Sequence, residues 1–307
     1  MTPAVHVLSC GMSIVSNLKK GNGPITPARV LDLTRWARDE LRLDDPVDTW
    51  RTSFQDTVFR HGESLRRYQA PALLSAEVGG LVRYDRDRGP GSDDQVVLLA
   101  SDTNAGMLAA LLNAVCAATL NPATSPRPIR VHRRPELDAN ADGEPLTDGD
   151  GPPVHVIRVP NLVPVTTGHF ADALRGIATA LLWAGWLRRR SRPGSALELH
   201  IAGGYKATLP YLTVLGEYLK AALPPVRVTC LHEPDPDGSR QPEPVEIALR
   251  RVCAEADRRA LDQADRGQPP TDDRLEDFAY TYDGTRVRLN DLGRILHTFL
   301  TVITEAT

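Results

Sequence analysis

The residues of this chain that are best suited to chemistry follow a strand-like run that ends in two glycines. Residues 203–206 read Gly-Gly-Tyr-Lys, and Lys206 stands where a following helix is expected to begin. A Gly-Gly pair exposes backbone N–H groups, the helix N-terminus adds partial positive charge, and the lysine adds a full charge. The pattern predicts a phosphate-binding site. It is not a Walker A loop, because the G-x-x-x-x-G-K-[ST] spacing is absent.

The first of three polar loops along the chain, residues 9–17 (SCGMSIVSN), follows the first strand-like run. Gly11 lets the backbone approach a ligand, and the hydroxyls of Ser13 and Ser16 are able to donate to phosphate oxygens. The loop lacks the G-x-G-x-x-G spacing of a dinucleotide-binding turn, which argues against a dinucleotide cofactor. Taken alone, the sequence favours an ordinary strand-to-helix turn whose serines cap the next helix.

The second of these loops along the chain, residues 101–106 (SDTNAG), follows another apolar run. Asp102 or Thr103 is expected to cap the next helix, which is the preferred interpretation of this loop alone. The functional alternative is polar contact with the base or ribose of a ligand at the edge of a sheet.

Continuous runs of Val, Leu and Ile alternate with helical patterns over roughly the first 230 residues. The strand candidates are residues 5–10, 96–100, 128–131, 154–159, 197–202 and 226–230. Uninterrupted apolar runs are typical of strands buried on both faces of a parallel sheet. The predicted fold class is therefore α/β, a doubly wound, mainly parallel Rossmann-like sheet. In such a sheet ligands bind beyond the carboxyl ends of the strands, which is where all three polar loops are expected.

The chain is expected to divide at a proline-rich stretch, residues 234–244. A Rossmann-like domain over 1–233 would then be followed by a small helical and hairpin appendage over 245–307. This appendage carries nine arginines against twelve acidic residues, which argues against DNA binding.

Three elements are predicted inside the appendage. Residues 245–264 predict one helix, residues 280–289 predict a hairpin with an Asp-Gly turn, and Asn290 is expected to cap a last helix. The order helix, hairpin, helix is similar to part of a winged helix.

The composition is that of an ordinary globular protein, with 307 residues, 41% hydrophobic and 24% charged, and a formal net charge of -3. This charge provides no global basic field, so no long nucleic acid is expected as a partner. The four cysteines lie far apart without a C-x-x-C pair, which suits a reducing cytoplasm and argues against a zinc site. The longest apolar stretch, 105–120, is too short for a membrane span. The sequence predicts a soluble, cytoplasmic protein without a membrane partner.

Three segments occur in a fixed order along the chain: 10–17 (CGMSIVSN), 97–103 (VLLASDT) and 203–207 (GGYKA), which runs into 210–212 (PYL). This combination resembles the CRISPR-associated Rossmann fold (CARF) family, in the branch that includes stand-alone ring nucleases. The resemblance implies a homodimer whose two Rossmann units face a shared pocket on the two-fold axis. It also implies that this pocket binds cyclic oligoadenylate, the messenger of type III CRISPR systems.

The resemblance implies a ring nuclease that cleaves cyclic oligoadenylate, with cyclic tetraadenylate as the expected ring, and so switches off this signalling. Ser13 and Lys206 stand at the two positions that assist cleavage in the family. No cofactor and no metal are expected. The ligand-binding positions expected from the three loops are Gly11, Met12, Ser16, Asn17, Ser101, Asp102, Thr103, Gly203, Gly204 and Tyr205.

The expected chemistry is attack of a ribose 2′-hydroxyl on its adjacent phosphorus, which leaves linear products with a 2′,3′-cyclic phosphate. No histidine follows the three strand ends, and His6 and His200 lie within strands, where packed side chains are expected. Catalysis would then depend on in-line orientation and on stabilisation of phosphate charge.

Two alternatives remain open. The first is a non-catalytic sensor that binds the messenger and regulates through its C-terminal segment. The second is an effector nuclease that the messenger activates, with its active site in that segment, although Arg294 and His297 lack the spacing of a HEPN ribonuclease motif.

Overall fold

Six buried apolar runs of the chain form the centre of one sheet. The computed structural model describes residues 3–66, 68, 74–83, 91, 93–120, 125–138, 140–163, 166–191, 194–231, 243–282 and 286–305. The strands of the main sheet are β1 (Ala4–Ser9), β2 (Gln95–Ser101), β3 (Ile129–His132), β4 (Glu144–Pro145), β5 (Val154–Val159), β6 (Ala196–His200), β7 (Val226–Leu231) and β8 (Pro244–Glu246). Their order across the sheet is β4-β3-β5-β2-β1-β6-β7-β8.

The six inner strands are parallel, and β4 and β8 pair antiparallel at the two edges. All six predicted strands are confirmed, and so is the mainly parallel α/β fold. The edge strands β4 and β8 were not predicted. They span only two and three residues and have no continuous apolar run, so they carry no strand signal of their own.

Helices cover both faces of the sheet, as a doubly wound fold requires. Within the described residues they are α1 (Ser13–Lys19), α2 (Pro27–Asp39), α3 (Asp48–Thr57), α4 (Gly62–Arg66), α5 (Ala76–Arg83), α6 (Asn104–Thr119), α7 (Thr167–Ser191), α8 (Leu209–Ala222), α9 (Ala254–Asp265) and α10 (Asp291–Glu305). Helices α1 to α6 share one apolar core with the sheet, and α7 to α10 share the other. None of these helices combines the length and the apolar character needed to cross a membrane.

The chain changes direction across the sheet at its central strand. From β1 it passes through α1 to α5 and returns to β2 on one side, whereas the strand on the other side of β1 is β6. The edge of the sheet at the carboxyl ends of β1 and β6 is therefore a topological switch point, where open α/β sheets bind ligands.

The C-terminal elements pack against the same core as α7 and α8. They include the hairpin β9 (Tyr280–Tyr282) and β10 (Val287–Leu289), which pair antiparallel as predicted. Asn290 caps α10 as predicted, because its side-chain oxygen accepts from the backbone N–H of Gly293 at 2.8 Å. The Asp-Gly turn, at residues 283–285, lies outside the described residues.

The prediction of one helix over 245–264 is wrong in its first part. Val245 lies in β8 and pairs with Cys230 of β7, and α9 begins only at Ala254. Because β7 would otherwise be an open edge, pairing with the sheet outweighs the helical pattern there. The expected boundary at 234–244 falls mostly on residues 232–242, which lie outside the described residues.

Candidate functional site

The three polar loops lie side by side at one edge of the sheet. They follow the neighbouring strands β2, β1 and β6, whose carboxyl ends point the same way because the strands are parallel. The backbone N–H of Cys10 donates to the carbonyl of Leu99 at 3.0 Å, which extends the β1–β2 ladder into the first loop. The structure thus brings the predicted site residues to one edge.

The loops after β1 and β6 are in backbone contact. A Cβ built on Gly11 would lie only 2.9 Å from the backbone nitrogen of Gly204. Gly204 has a φ of +86°, and a Cβ there would lie 2.0 Å from the Ser9 hydroxyl. Both positions therefore require glycine, one for close approach and the other also for its backbone conformation.

A buried carboxylate that the sequence did not single out lies beneath this contact. It belongs to Glu77 of α5, whose residue is only 2% exposed. Its Oε1 accepts from the backbone N–H of Gly11 at 2.6 Å, and its Oε2 accepts from the Ser13 hydroxyl at 2.7 Å. A Cβ on Gly203 would lie 2.1 Å from Oε1, so Glu77 fills the space that a side chain would need there.

Contacts at two places hold α5 in position. Ser75, just before the helix, accepts from the backbone N–H of Val78 at 3.0 Å and donates to the side chain of Asn113 in α6 at 2.7 Å. One turn further on, Gly80 lies against His200, since a Cβ there would be 3.6 Å from Nδ1. The first turn of α5, which carries Glu77, is thereby placed under the loops.

His200 belongs to the packed core, as predicted. Its Nε2 lies 3.0 Å from Nδ1 of His6, and its Nδ1 lies 3.1 Å from the Thr229 hydroxyl. Burial, reinforced by the neighbouring His6, holds the pKa of His200 well below its usual value. The imidazole is therefore neutral and part of the support of the site.

Along the chain, β6 precedes the glycine pair and Lys206 follows it. Lys206 begins a single 3-10 turn, Lys206–Thr208, which leads directly into α8. The residue is exposed, and within the described part of the chain its ammonium group takes part in no hydrogen bond or ion pair. Tyr205 is 39% exposed, and its ring makes a T-shaped contact with that of Phe170, with centroids 6.4 Å apart. The Gly-Gly-Tyr-Lys loop, the third of the three along the chain, therefore presents a positive charge and an aromatic side chain to solvent.

The second loop is engaged in local structure. Thr103 caps α6 by accepting from the backbone N–H of Gly106 at 3.1 Å, which confirms the helix-cap interpretation. Asp102 accepts from the backbone N–H of Asn161 at 2.9 Å, and the Ser101 hydroxyl lies 3.0 Å from that of Thr103. These three side chains organise the edge, because their polar atoms already have partners within the chain.

The other predicted positions of the first loop differ in exposure. Met12 is 40% exposed and Ser16 is exposed, so both reach solvent beside the glycine contact. Asn17 is half-buried and donates to the carbonyl of Leu74 at 3.1 Å. Cys10 is buried, and its pKa is raised by burial and by the charge of Glu77, so it stays a thiol.

A cleft of about 560 Å³ lies elsewhere, beyond the ends of β3 and β5. Its three arginines are already paired with carboxylates: Arg133 with Glu144 at 2.5 Å, Arg158 with Asp44 at 2.8 Å, and Arg134 with Glu136 at 3.8 Å. Paired cations of this kind offer little to an anionic ligand.

The two residues considered for an effector nuclease are paired in the same way. Arg294 and His297, both in α10, contact the carboxylates of Asp291 at 3.1 Å and Asp262 at 2.6 Å. Their contacts are those of a helix surface.

Three features come together at the ends of β1 and β6. The hydroxyl of Ser13 is held by the carboxylate of Glu77, Lys206 is an exposed cation, and the backbones of the two loops approach closely. Such a set is able to orient a ligand hydroxyl and to stabilise charge on a phosphate oxygen. A scan against protein-family models finds no match for this chain, and a comparison with curated proteins finds no similar sequence. Its function is therefore inferred from this geometry together with the resemblance of the three loops.

Proposed function

We propose that this protein is a metal-independent ring nuclease that binds and linearises cyclic oligoadenylate at the carboxyl edge of β1 and β6. The observation that carries the proposal is the contact between Gly11 and Gly204. It joins the loop of Ser13 to the loop of Lys206 at the switch point, where a nucleotide ligand is expected.

The groups at this edge suit a ring of phosphates and adenines. Lys206 supplies a positive charge that no described residue neutralises, and cations without partners are the ordinary means of binding phosphate. Tyr205 is an exposed aromatic residue, and an adenine is able to stack on such a side chain.

A homodimer would complete the site. An isologous pair presents two identical sets of loops to one ligand on the two-fold axis. Cyclic tetraadenylate is able to share this symmetry, and so is cyclic hexaadenylate. Two copies of Lys206 and Ser13 would then surround one ring.

The reaction needs orientation more than additional chemistry. A ribose 2′-hydroxyl attacks the adjacent phosphorus in line, and the bond to the 5′-oxygen breaks. Ser13 positions the 2′-hydroxyl, and Lys206 stabilises the negative charge on the non-bridging oxygens. The product is a linear oligoadenylate that ends in a 2′,3′-cyclic phosphate.

Incubation with cyclic tetraadenylate in the presence of a chelator tests the proposal. We expect linear products from the wild type and a loss of about 100-fold or more in the cleavage rate for Lys206→Ala, the effect of removing one charge-stabilising group. Lys220→Ala is the matched control, since Lys220 is an exposed lysine at the far end of α8, the helix that follows the turn of Lys206. An intact ring after long incubation with wild type, or equal rates for wild type and Lys206→Ala, would refute the proposal.

One observation favours the sensor as a second candidate. The hydroxyl of Ser13 and the N–H of Gly11 are both directed at Glu77 and not at the ligand side. A protein that binds cyclic tetraadenylate tightly and leaves it intact would be such a sensor.

A further inference from the structure

The hydrogen bond between Ser13 and Glu77 has a direction that matters for the proposed reaction. A serine hydroxyl has one proton, and an ionised carboxylate is only an acceptor, so this proton points at Oε2 of Glu77. The lone pairs of Ser13 Oγ remain for a ligand. A ribose 2′-hydroxyl that contacts Ser13 must then act as the donor, which is the polarity that loss of its proton requires.

We infer that Glu77 is the proton-accepting partner of Ser13 in the cleavage step, an assignment that rests on the proposed function. The 2′-hydroxyl passes its proton to Ser13 Oγ while Ser13 passes its own proton to Glu77. Glu77 is a positioning residue in this scheme, because it acts through Ser13 and is itself covered by the loops.

The step balances without a further reactant. The bond from O2′ to phosphorus forms, the bond from phosphorus to O5′ breaks, and the electron pair leaves with O5′. The departing O5′ takes a proton from water, and the proton held by Glu77 returns to solvent after the product leaves.

The structure of the site supports the role of a proton acceptor. Burial of a carboxylate is costly unless hydrogen bonds compensate it, and Glu77 receives them from Gly11 and Ser13. Ser13 is itself only half-buried, so its other side is open to a ligand. The hydroxyl therefore lies between a covered carboxylate and the open edge of the sheet.

Other titratable groups face the same side of the sheet as α5. They are His6 and Cys10 of β1, Glu198 and His200 of β6, Arg227 of β7 and Cys116 of α6. Burial raises the pKa of both thiols and lowers that of His200, so these three groups stay neutral near pH 7. Glu198 is held in an ion pair with Arg227 at 2.7 Å, and His6 contacts Asp94 at 3.3 Å.

Glu77→Gln tests the inference, because glutamine has the same shape. Its oxygen is able to accept from Gly11, but its NH₂ group must donate to Ser13, so the proton path is interrupted. We expect single-turnover cleavage of cyclic tetraadenylate to fall about 100-fold or more, as for removal of a general base. Binding of the ring is expected to stay equal or become tighter, since a negative charge near a polyanion is removed.

The opposite directions of the two effects exclude a purely structural role, which would weaken binding and cleavage together. Glu217→Gln is the matched control. Glu217 is also a buried glutamate, but it lies in the later part of α8 and pairs with Arg250. The inference is overturned if Glu77→Gln cleaves the ring as fast as the wild type. It is also overturned if Glu77→Gln loses both binding and cleavage. If the wild type leaves the ring intact, the proposed function fails and the inference fails with it.

Ser13→Ala keeps the test decisive if Glu77→Gln does not fold. Two protons move in the step, one from the 2′-hydroxyl to Ser13 and one from Ser13 to Glu77. The wild-type rate in mixtures of H₂O and D₂O is therefore expected to show the curvature of a two-proton transfer, and Ser13→Ala is expected to lose this curvature together with about 100-fold of the rate. A linear dependence in the wild type, or the same curvature in both proteins, overturns the inference.

Discussion

Single residues decide whether the two loops of the site are able to meet. Gly204 combines a φ of +86° with close contact to the buried Ser9, so an added methyl group has no space. Gly194 has a φ of +85° but nothing within 4 Å of a Cβ built on it. Comparing the same substitution at Gly204 and Gly194 therefore separates the free-energy cost of the backbone conformation from that of crowding.

Gly204→Ala and Gly194→Ala should therefore differ in stability. The left-handed conformation costs roughly 1–2 kcal/mol for a residue with a side chain, and both variants carry this cost. Crowding against Ser9 adds about 1–3 kcal/mol to Gly204→Ala alone. Urea unfolding measures the free energies, and equal losses for the two variants would contradict the packing described for the loops.

The sequence predicts some of these residues and misses others for a physical reason. The Gly-Gly-Tyr-Lys segment is local, so its glycines and its lysine stand out in the sequence. Glu77 contacts Ser13 across 64 positions of the chain, and an acidic residue in a first helical turn is ordinary. Only the packing of α5 under the loops distinguishes it.

At the scale of elements, burial explains what was predictable. The inner strands are apolar on both faces, so each produces a continuous run of Val, Leu and Ile in the sequence. The edge strands β4 and β8 depend on a neighbouring strand for their pairing. Residues 245–264 were misread for this reason, because the open edge of β7 lies outside that window of sequence.

The C-terminal helix α10 is joined to the rest of the protein by its apolar face. Phe299 is 1% exposed and belongs to the core that α7 and α8 share. Phe278, by contrast, is 39% exposed. The same substitution at these two positions therefore separates burial from residue type.

Phe299→Ala is expected to lower the free energy of unfolding by about 3–5 kcal/mol, the usual cost of this change in a core. Phe278→Ala should cost much less. Thermal unfolding of Phe299→Ala should remain a single transition at a lower midpoint, since one core is shared. Two separated transitions, one of them unchanged from wild type, would show that the C-terminal elements form an independent unit.

At the scale of the whole molecule, one topological feature places the chemistry. The two faces of the sheet are covered by different halves of the chain, and the connections diverge between β1 and β6. At this divergence Ser13 is supported from the α5 side and Lys206 leads into α8. The sequence predicts the sheet edge, and the tertiary structure supplies its support.

The central claim is that two copies of this edge surround one cyclic messenger. Calorimetric titration of cyclic tetraadenylate into Ser13→Ala, which is expected to cleave the ring too slowly to disturb the titration, measures this directly. We predict saturation at one ring for every two chains. The double variant that carries both Ser13→Ala and Lys206→Ala is expected to give no binding heat. One ring for every chain, or unchanged binding without the Lys206 ammonium, would contradict the account.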